Sequence, residues 1–390
     1  MSEGPREGGL RAALAAAGLD ALVCRLPANV LLLTGYWPMN GISFAWLPVS
    51  GDPLLIAPAG ERDWAAAGRW ADVRTFGMGG VADGDPLAAV AAHLRAALAP
   101  RAGARVRLGY EGSFETVAPP FVSGEGVSVA RPTLAMLAAL PGVELVDATD
   151  LLEEQRAVKT ADEIAAVRRA VAVADLGCAA FRAALRPGAR ECDVVAAVET
   201  AIITKGTGYQ GASRARGWAT VLSGAASDVA GRPFQVASTR AIADGETAIL
   251  ELGVVVDGFW ADLTRTYAVG QPTDRQRTIH AAALAAHDAA FAALRPGISG
   301  ADADHAARAS IAAAGYGAYF PHQTGHGLGF RYHESRPLLH PAYTGTLAAG
   351  MVVTVEPGIY LPGEFGVRIE DDVLITADGA EYLSHTARGL

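Results

Sequence analysis

From Glu251 to Thr266 the chain holds two β-prone, largely apolar runs separated by Asp257-Gly258. Asp-Gly in that setting predicts a β-hairpin, because a type I′ turn needs two residues at positive φ. A two-residue loop sets the register: Val256 faces Phe259, Gly253 faces Asp262 and Glu251 faces Thr264. Strand side chains alternate faces, so Glu251, Gly253, Asp262 and Thr264 share one face. Gly253 then leaves open space between the two carboxylates.

Helical periodicity begins at Thr160, where Thr160-x-x-Glu163 has capping-box spacing and Ile164, Val167 and Val171 share a face. This helix is expected to stop before Arg186-Pro187-Gly188, and a second to run from about Glu191 to Thr204. The pattern then recurs. AAFRAALRPGARECDVVAAVETAI at 179–202 resembles AAFAALRPGISGADADHAARASI at 289–311, each with a helix, a Leu-Arg-Pro-Gly stop and a second helix. Glu251 and Asp262 lie 63 and 74 residues past Gly188, and Glu356 and Glu370 lie 59 and 73 past Gly297. A pseudo-two-fold pair of helix-and-sheet halves would therefore gather four carboxylates at one axis.

The residues before about 150 read as an α/β unit. Helices are expected near Gly9–Ala17, Pro86–Leu98 and Leu134–Ala139, with strands at Ala21–Cys24, Asn29–Leu33, Val106–Gly109 and Val143–Val146. A hairpin is expected through Ser50-Gly51-Asp52-Pro53. The boundary falls between Asp150 and Val158, dividing the chain into 1–152 and 153–390.

The stretch Gly350–Thr376 reads as two strands about Pro362-Gly363. Glu356 ends an alternating run, and Arg368 and Glu370 share a face of the return strand. Upstream lie His322-Gln-Thr-Gly-His326-Gly-Leu-Gly and His333-Glu334. Carboxylates that converge repel unless a proton or a cation sits among them. Four carboxylates and an imidazole suit two divalent cations about 3.5–4 Å apart. Such hard ligands favour Mn²⁺, with Co²⁺ or Zn²⁺ compatible. His280 and His287, on a helix opened by Thr273-x-x-Gln276, read as surface or core residues. Arg331 and Tyr332, beside His333, are candidates to meet a substrate carboxylate.

Composition narrows the classes. A formal charge of −9 argues against a nucleic-acid or anionic-membrane footprint. Cys24, Cys178 and Cys192 are odd in number and form no CxxC, as expected of reduced thiols in a cytoplasmic protein. Neither an apolar signal core nor a run of transmembrane length is visible.

The motifs DGFWADLTRT, TGHGLG followed by HE, VEPGIY and GVRIED resemble, in order and spacing, those of the pita-bread metallopeptidases. The N-terminal stretches RAALAAAGLDALVC and ANVLLLTGY resemble the creatinase-type N-terminal domain found in the prolidases and aminopeptidases P of that family. The resemblance implies an α/β protein with a creatinase-like N-terminal domain and a C-terminal pita-bread catalytic domain. It also implies a metal-dependent Xaa-Pro peptidase, leaning to dipeptidase, that acts on proline-containing dipeptides or short peptides as a homodimer. Alternatives on the same fold are an aminopeptidase P, a creatinase-like hydrolase of another C–N bond, and a non-catalytic binding protein. Carried over by position, Asp262 and Glu370 would bridge two metals. His326 and Glu356 would complete one metal and Glu251 the other. His333 would stabilise the oxyanion, His322 would sit beside the scissile bond, Glu356 would move the proton, and Arg368 would pair with the Glu370 strand face. Two positions depart from the family. Glu251 stands where Asp is usual, and the run 229–240 lacks the usual substrate-binding His, leaving Arg232 or Gln235 as candidates for its role.

Overall fold

A computed structural model describes residues 4–39, 41–70, 72–78, 83–101, 103–112, 129–231 and 236–390. Arg232 and Gln235 therefore lie outside the described residues. The chain forms two compact units, 1–156 and 157–390.

The first unit is a six-stranded mixed sheet. Its central strand Ala21–Cys24 pairs antiparallel with Phe44–Pro48 and parallel with Val106–Tyr110. Helices Pro5–Ala16, Pro86–Leu98 and Arg131–Ala138 fall close to their expected places. One expectation fails: Asn29–Leu33 is not a strand but lies inside a fully buried helix, Pro27–Thr34. A short unbroken apolar run has no period that separates a buried strand from a buried helix. The deciding signals are local. Pro27 opens the first turn and Gly35, at φ 72°, closes the last. The Glu111 carboxylate completes the N-terminus, accepting from the backbone N–H of Arg25 and Leu26 and from the Asn29 amide. Burial pushes that carboxyl up to about 7.

The second unit repeats one design. Helix Ala161–Ala184 is followed by Glu191–Ala201, and helix Asp274–Ala293 by Gly300–Ala313. Both long helices begin with complete capping boxes, Thr160 with Glu163 and Thr273 with Gln276. The helix Glu191–Ala201 ends short of Thr204 because the chain widens into a π turn at Ile202–Gly206. At each Leu-Arg-Pro-Gly stop the glycine has positive φ and its N–H donates to a carbonyl of the following β-rich stretch. Gly188 donates to Ile242 and Gly297 to Leu347, each 2.8 Å. Ile242 and Leu347 each precede their half's first acid, Glu251 or Glu356, by nine residues. The matched acid offsets in the sequence thus have a structural counterpart.

The hairpin forms in the expected register: Val256 opposite Phe259, Gly253 opposite Asp262 and Glu251 opposite Thr264. Asp257 and Gly258 both take positive φ, 49° and 92°. With Ala215–Ser223 the hairpin makes a three-stranded sheet. The second acid-bearing stretch is more broken than expected. Its outgoing run divides into Val352–Val355 and Gly358–Leu361, and its return into Phe365–Arg368 and Asp371–Ile375. Pro357 cannot donate to a ladder, so the outgoing strand breaks beside Glu356. Glu370 lies in the matching break, where its N–H donates to Thr264 O at 3.1 Å. Both acids of this half project from interruptions rather than from strand faces. Among the described residues no helix is long and apolar enough to cross a membrane.

Candidate metal centre

Glu251, Asp262, His326, His333, Glu356 and Glu370 meet in one place. Three overlapping groups, Asp262–His326–His333, His326–Glu356–Glu370 and Glu251–Asp262–Glu370, each present one donor atom per residue within 4.8 Å of the others. Two strands of the hairpin supply Glu251 and Asp262, and the breaks in the second half supply Glu356 and Glu370. His326 sits in the short strand Gly325–Gly327. A Cβ at Gly325 would fall 1.9 Å from Thr354 O and one at Gly327 would fall 2.5 Å from Arg336 O. The glycines on either side of His326 therefore serve close strand packing as well as access.

The hydrogen bonds orient His326. Its Nδ1 lies 3.0 Å from Gly327 O, an atom that only accepts, so Nδ1 carries the proton. The lone pair of Nε2 then faces Asp262 Oδ2 and Glu356 Oε1, each 3.6 Å away. Burial holds the imidazole pKa down, opposing a positive charge that could otherwise bridge them. Among the described residues, the buried His326 Nε2 and Glu370 Oε1 have no hydrogen-bond partner. A lone pair aimed at carboxylate oxygens is unfavourable by itself and suits a divalent cation lying among them. Asp262 and Glu356 are both pushed well above the usual carboxylate range, first by burial and then by neighbouring carboxylates, Glu370 the larger in each case. A metal would relieve that crowding. The residues fit the group.

Around this donor set the structure corrects two readings. Arg368 does not pair with Glu370; its Nη2 pairs with Glu251 Oε2, while Nε donates to Thr264 Oγ1 at 3.0 Å. The Thr264 hydroxyl lies 2.7 Å from both Glu251 Oε2 and Glu370 Oε2. Nor is the space over Gly253 empty. The Tyr332 ring fills it, and its hydroxyl donates to Asp262 Oδ1 at 3.0 Å, with Glu251 Oε1 3.2 Å away.

His322 lies beside Tyr360, with Nε2 2.8 Å from the phenol oxygen and Nδ1 2.8 Å from Gln323 O. Arg368 Nη1 donates to the same phenol oxygen at 3.1 Å. Burial lowers the His322 pKa to about 4, so the ring is neutral at pH 7. Arg331 is fully buried, whereas the His333 side chain keeps 23% of its surface. His287 is a core residue, 3.1 Å from Asp371. Tyr360 went unnoticed in the sequence, where a tyrosine on an apolar strand gives no sign of a polar partner.

The sequence profile of metallopeptidase family M24 matches residues 165–377, and that of the creatinase/prolidase N-terminal domain matches residues 6–158. The chain belongs to metallopeptidase family M24. Among M24 relatives, the uncharacterized peptidase YqhT of Bacillus subtilis (strain 168) is 38% identical over 253 residues, covering 65% of this chain and 69% of its own. The prolidase from Pyrococcus horikoshii OT3 superposes with a TM-score of 0.79 at 27% identity, covering 99% of this M24 chain and all of its own. The Xaa-Pro dipeptidase from Bacillus anthracis superposes with a TM-score of 0.80 at 27% identity, over 99% and 98% of the two chains.

Proposed function

We propose that this M24 protein is a metal-dependent dipeptidase that cleaves Xaa-Pro bonds, with two Mn²⁺ sites formed by Glu251, Asp262, His326, Glu356 and Glu370. The observation that carries the reading is the oriented Nε2 of His326 facing Asp262 and Glu356. It is supported by end-to-end similarity to solved prolidases. Divalent cations held by these residues would supply an acidified water and polarise the scissile carbonyl.

The remaining chemistry belongs to side chains. Glu356, whose carboxyl is pushed well above the usual carboxylate range by burial and by Glu370, takes the proton of the attacking water. It then delivers that proton to the departing imide nitrogen. A prolyl nitrogen carries no hydrogen of its own, so the leaving group depends on that delivery. His333 is exposed enough to meet substrate and stabilises the developing oxyanion. His322, neutral and held by Tyr360, lies beside the scissile bond. The same reading includes a homodimer, as the family resemblance implies, and a cytoplasmic location, as the three cysteines without a CxxC suggest.

The test is hydrolysis of Xaa-Pro dipeptides and Xaa-Pro-Yaa tripeptides by chelated protein before and after Mn²⁺ is restored. Turnover that returns with Mn²⁺ and favours dipeptides is the expected result. Preference for tripeptides would make the protein an aminopeptidase P. Metal uptake without turnover of either substrate would overturn the prolyl assignment.

A further inference from the structure

Tyr332 takes no part in the proposed reaction, yet its hydroxyl reaches two carboxylates of the centre. Its ring is fully buried. It lies against Trp260 (centroids 5.5 Å apart), His333 (4.6 Å) and Trp218 (6.2 Å). Beneath it is Gly253, where an added Cβ would come within 2.6 Å of the ring. Packing on these sides leaves the phenol no room to withdraw, so the position of its oxygen is set by the core.

That oxygen lies 3.0 Å from Asp262 Oδ1 and 3.2 Å from Glu251 Oε1. The other Glu251 oxygen is met by the Arg368 guanidinium and by the Thr264 hydroxyl. Both oxygens of Glu251 are thus turned toward O–H or N–H donors. On the opposite side of the cluster, His326 Nε2 meets no hydrogen-bond donor among the described residues, nor does Oε1 of Glu370, the carboxylate the two sides share. The two halves of the donor set are therefore unequal. A cation entering among Glu251, Asp262 and Glu370 would need lone pairs that face a phenolic hydrogen, in the presence of a guanidinium charge. One entering among His326, Glu356 and Glu370 would not.

We propose that Tyr332 closes the cation position bounded by Glu251, Asp262 and Glu370, so that the protein holds one divalent ion tightly and a second only weakly. The inference deepens, and rests on, the reading of these residues as metal ligands. It assigns Tyr332 the role of a positioning residue that sets metal stoichiometry. Tyr332→Phe removes the hydroxyl and keeps the ring, so the packing against Trp260 and Gly253 survives.

The experiment is Mn²⁺ binding to the intact protein by equilibrium dialysis with atomic absorption, paired with electron paramagnetic resonance of the bound ion. Wild-type protein is expected to take up one tight ion with the hyperfine pattern of an isolated Mn²⁺. In Tyr332→Phe the second ion should bind about tenfold more tightly, the weight of one hydrogen bond to a charged group, and spin coupling should appear. Two equally tight, coupled ions in the wild type would overturn the proposal without recourse to a variant. So would a Tyr332→Phe protein that binds as the wild type does, or one that loses an ion, which would make the phenol oxygen a ligand. Uptake of Mn²⁺ unchanged by His326→Ala would instead overturn the ligand reading itself.

Discussion

Lys159 Nζ and Glu334 Oε2 lie 2.6 Å apart, with side-chain exposures of 0% and 3%. The other Glu334 oxygen accepts the Phe330 N–H at 3.0 Å. One carboxylate thus spans the loop that presents Tyr332 and His333, and one ammonium neutralises it. Removing one partner of a buried pair leaves an uncompensated charge and costs about 3–5 kcal/mol. Lys159→Met should lower the urea midpoint accordingly. Lys159→Met combined with Glu334→Gln should recover part of the loss, since Gln still accepts from Phe330. A single variant as stable as the wild type would show that the pair contributes nothing.

Gly253 carries a different constraint. Its partner across the hairpin is Asp262, and the Tyr332 ring occupies the space a side chain would take. Gly253→Ala should destabilise by about 1–3 kcal/mol through overpacking. Gly253→Ala with Tyr332→Leu should cost less than the two single changes added together, because they share one volume. Strict additivity in a denaturation series would refute the overlap.

What the chain disclosed in advance follows from where its signals are local. Asp257-Gly258 determines a turn, the turn determines register, and register places Glu251 diagonal to Asp262. The Leu-Arg-Pro-Gly stops likewise disclosed the repeated halves. Side-chain partnerships between halves were not legible. Arg368 pairs with Glu251, 117 residues away, rather than with the acid two residues on. Pro357 marks the break beside Glu356, but no proline or glycine marks the one at Glu370, which only the packing of the two halves reveals. Tyr332 was visible as a neighbour of His333, and Gly253 as open space, but only tertiary packing joins the two.

The crowded carboxylates tie stability to pH once the metal is stripped. Asp262 and Glu356 have folded-state pKa values raised above their ordinary 3.8 and 4.5. A raised value means the folded apoprotein holds protons that the unfolded chain releases. The associated stability is complete below the ordinary values and is lost as pH rises through the raised ones. Relative to a chelated Asp262→Asn, Glu356→Gln variant, chelated wild-type protein should therefore lose melting temperature as pH rises above the ordinary carboxylate values, and Mn²⁺ should reverse the trend. Calorimetry in buffers of different ionisation enthalpy should register proton release on binding. A chelated wild type that gains on that variant as pH rises would contradict the arrangement.

The final prediction concerns Tyr360, which lies between Arg368 and His322. Gln323 O can only accept, so His322 Nδ1 holds the proton and Nε2 accepts from the Tyr360 hydroxyl at 2.8 Å. That donated hydrogen bond favours the neutral ring, in the same direction as burial, which lowers the pKa from 6.5 to about 4. The stability this depression represents is present above 6.5 and declines as pH falls toward 4. Tyr360→Phe deletes the donor and leaves the aromatic surface. The His322 pKa should then rise, moving the acid limb of kcat/KM to higher pH. At neutral pH kcat/KM should fall about five- to tenfold, as for one neutral hydrogen bond. A drop in activity with an unmoved acid limb would mean that Tyr360 positions substrate by contact alone. An unchanged profile and unchanged kcat/KM would remove His322 from the reaction.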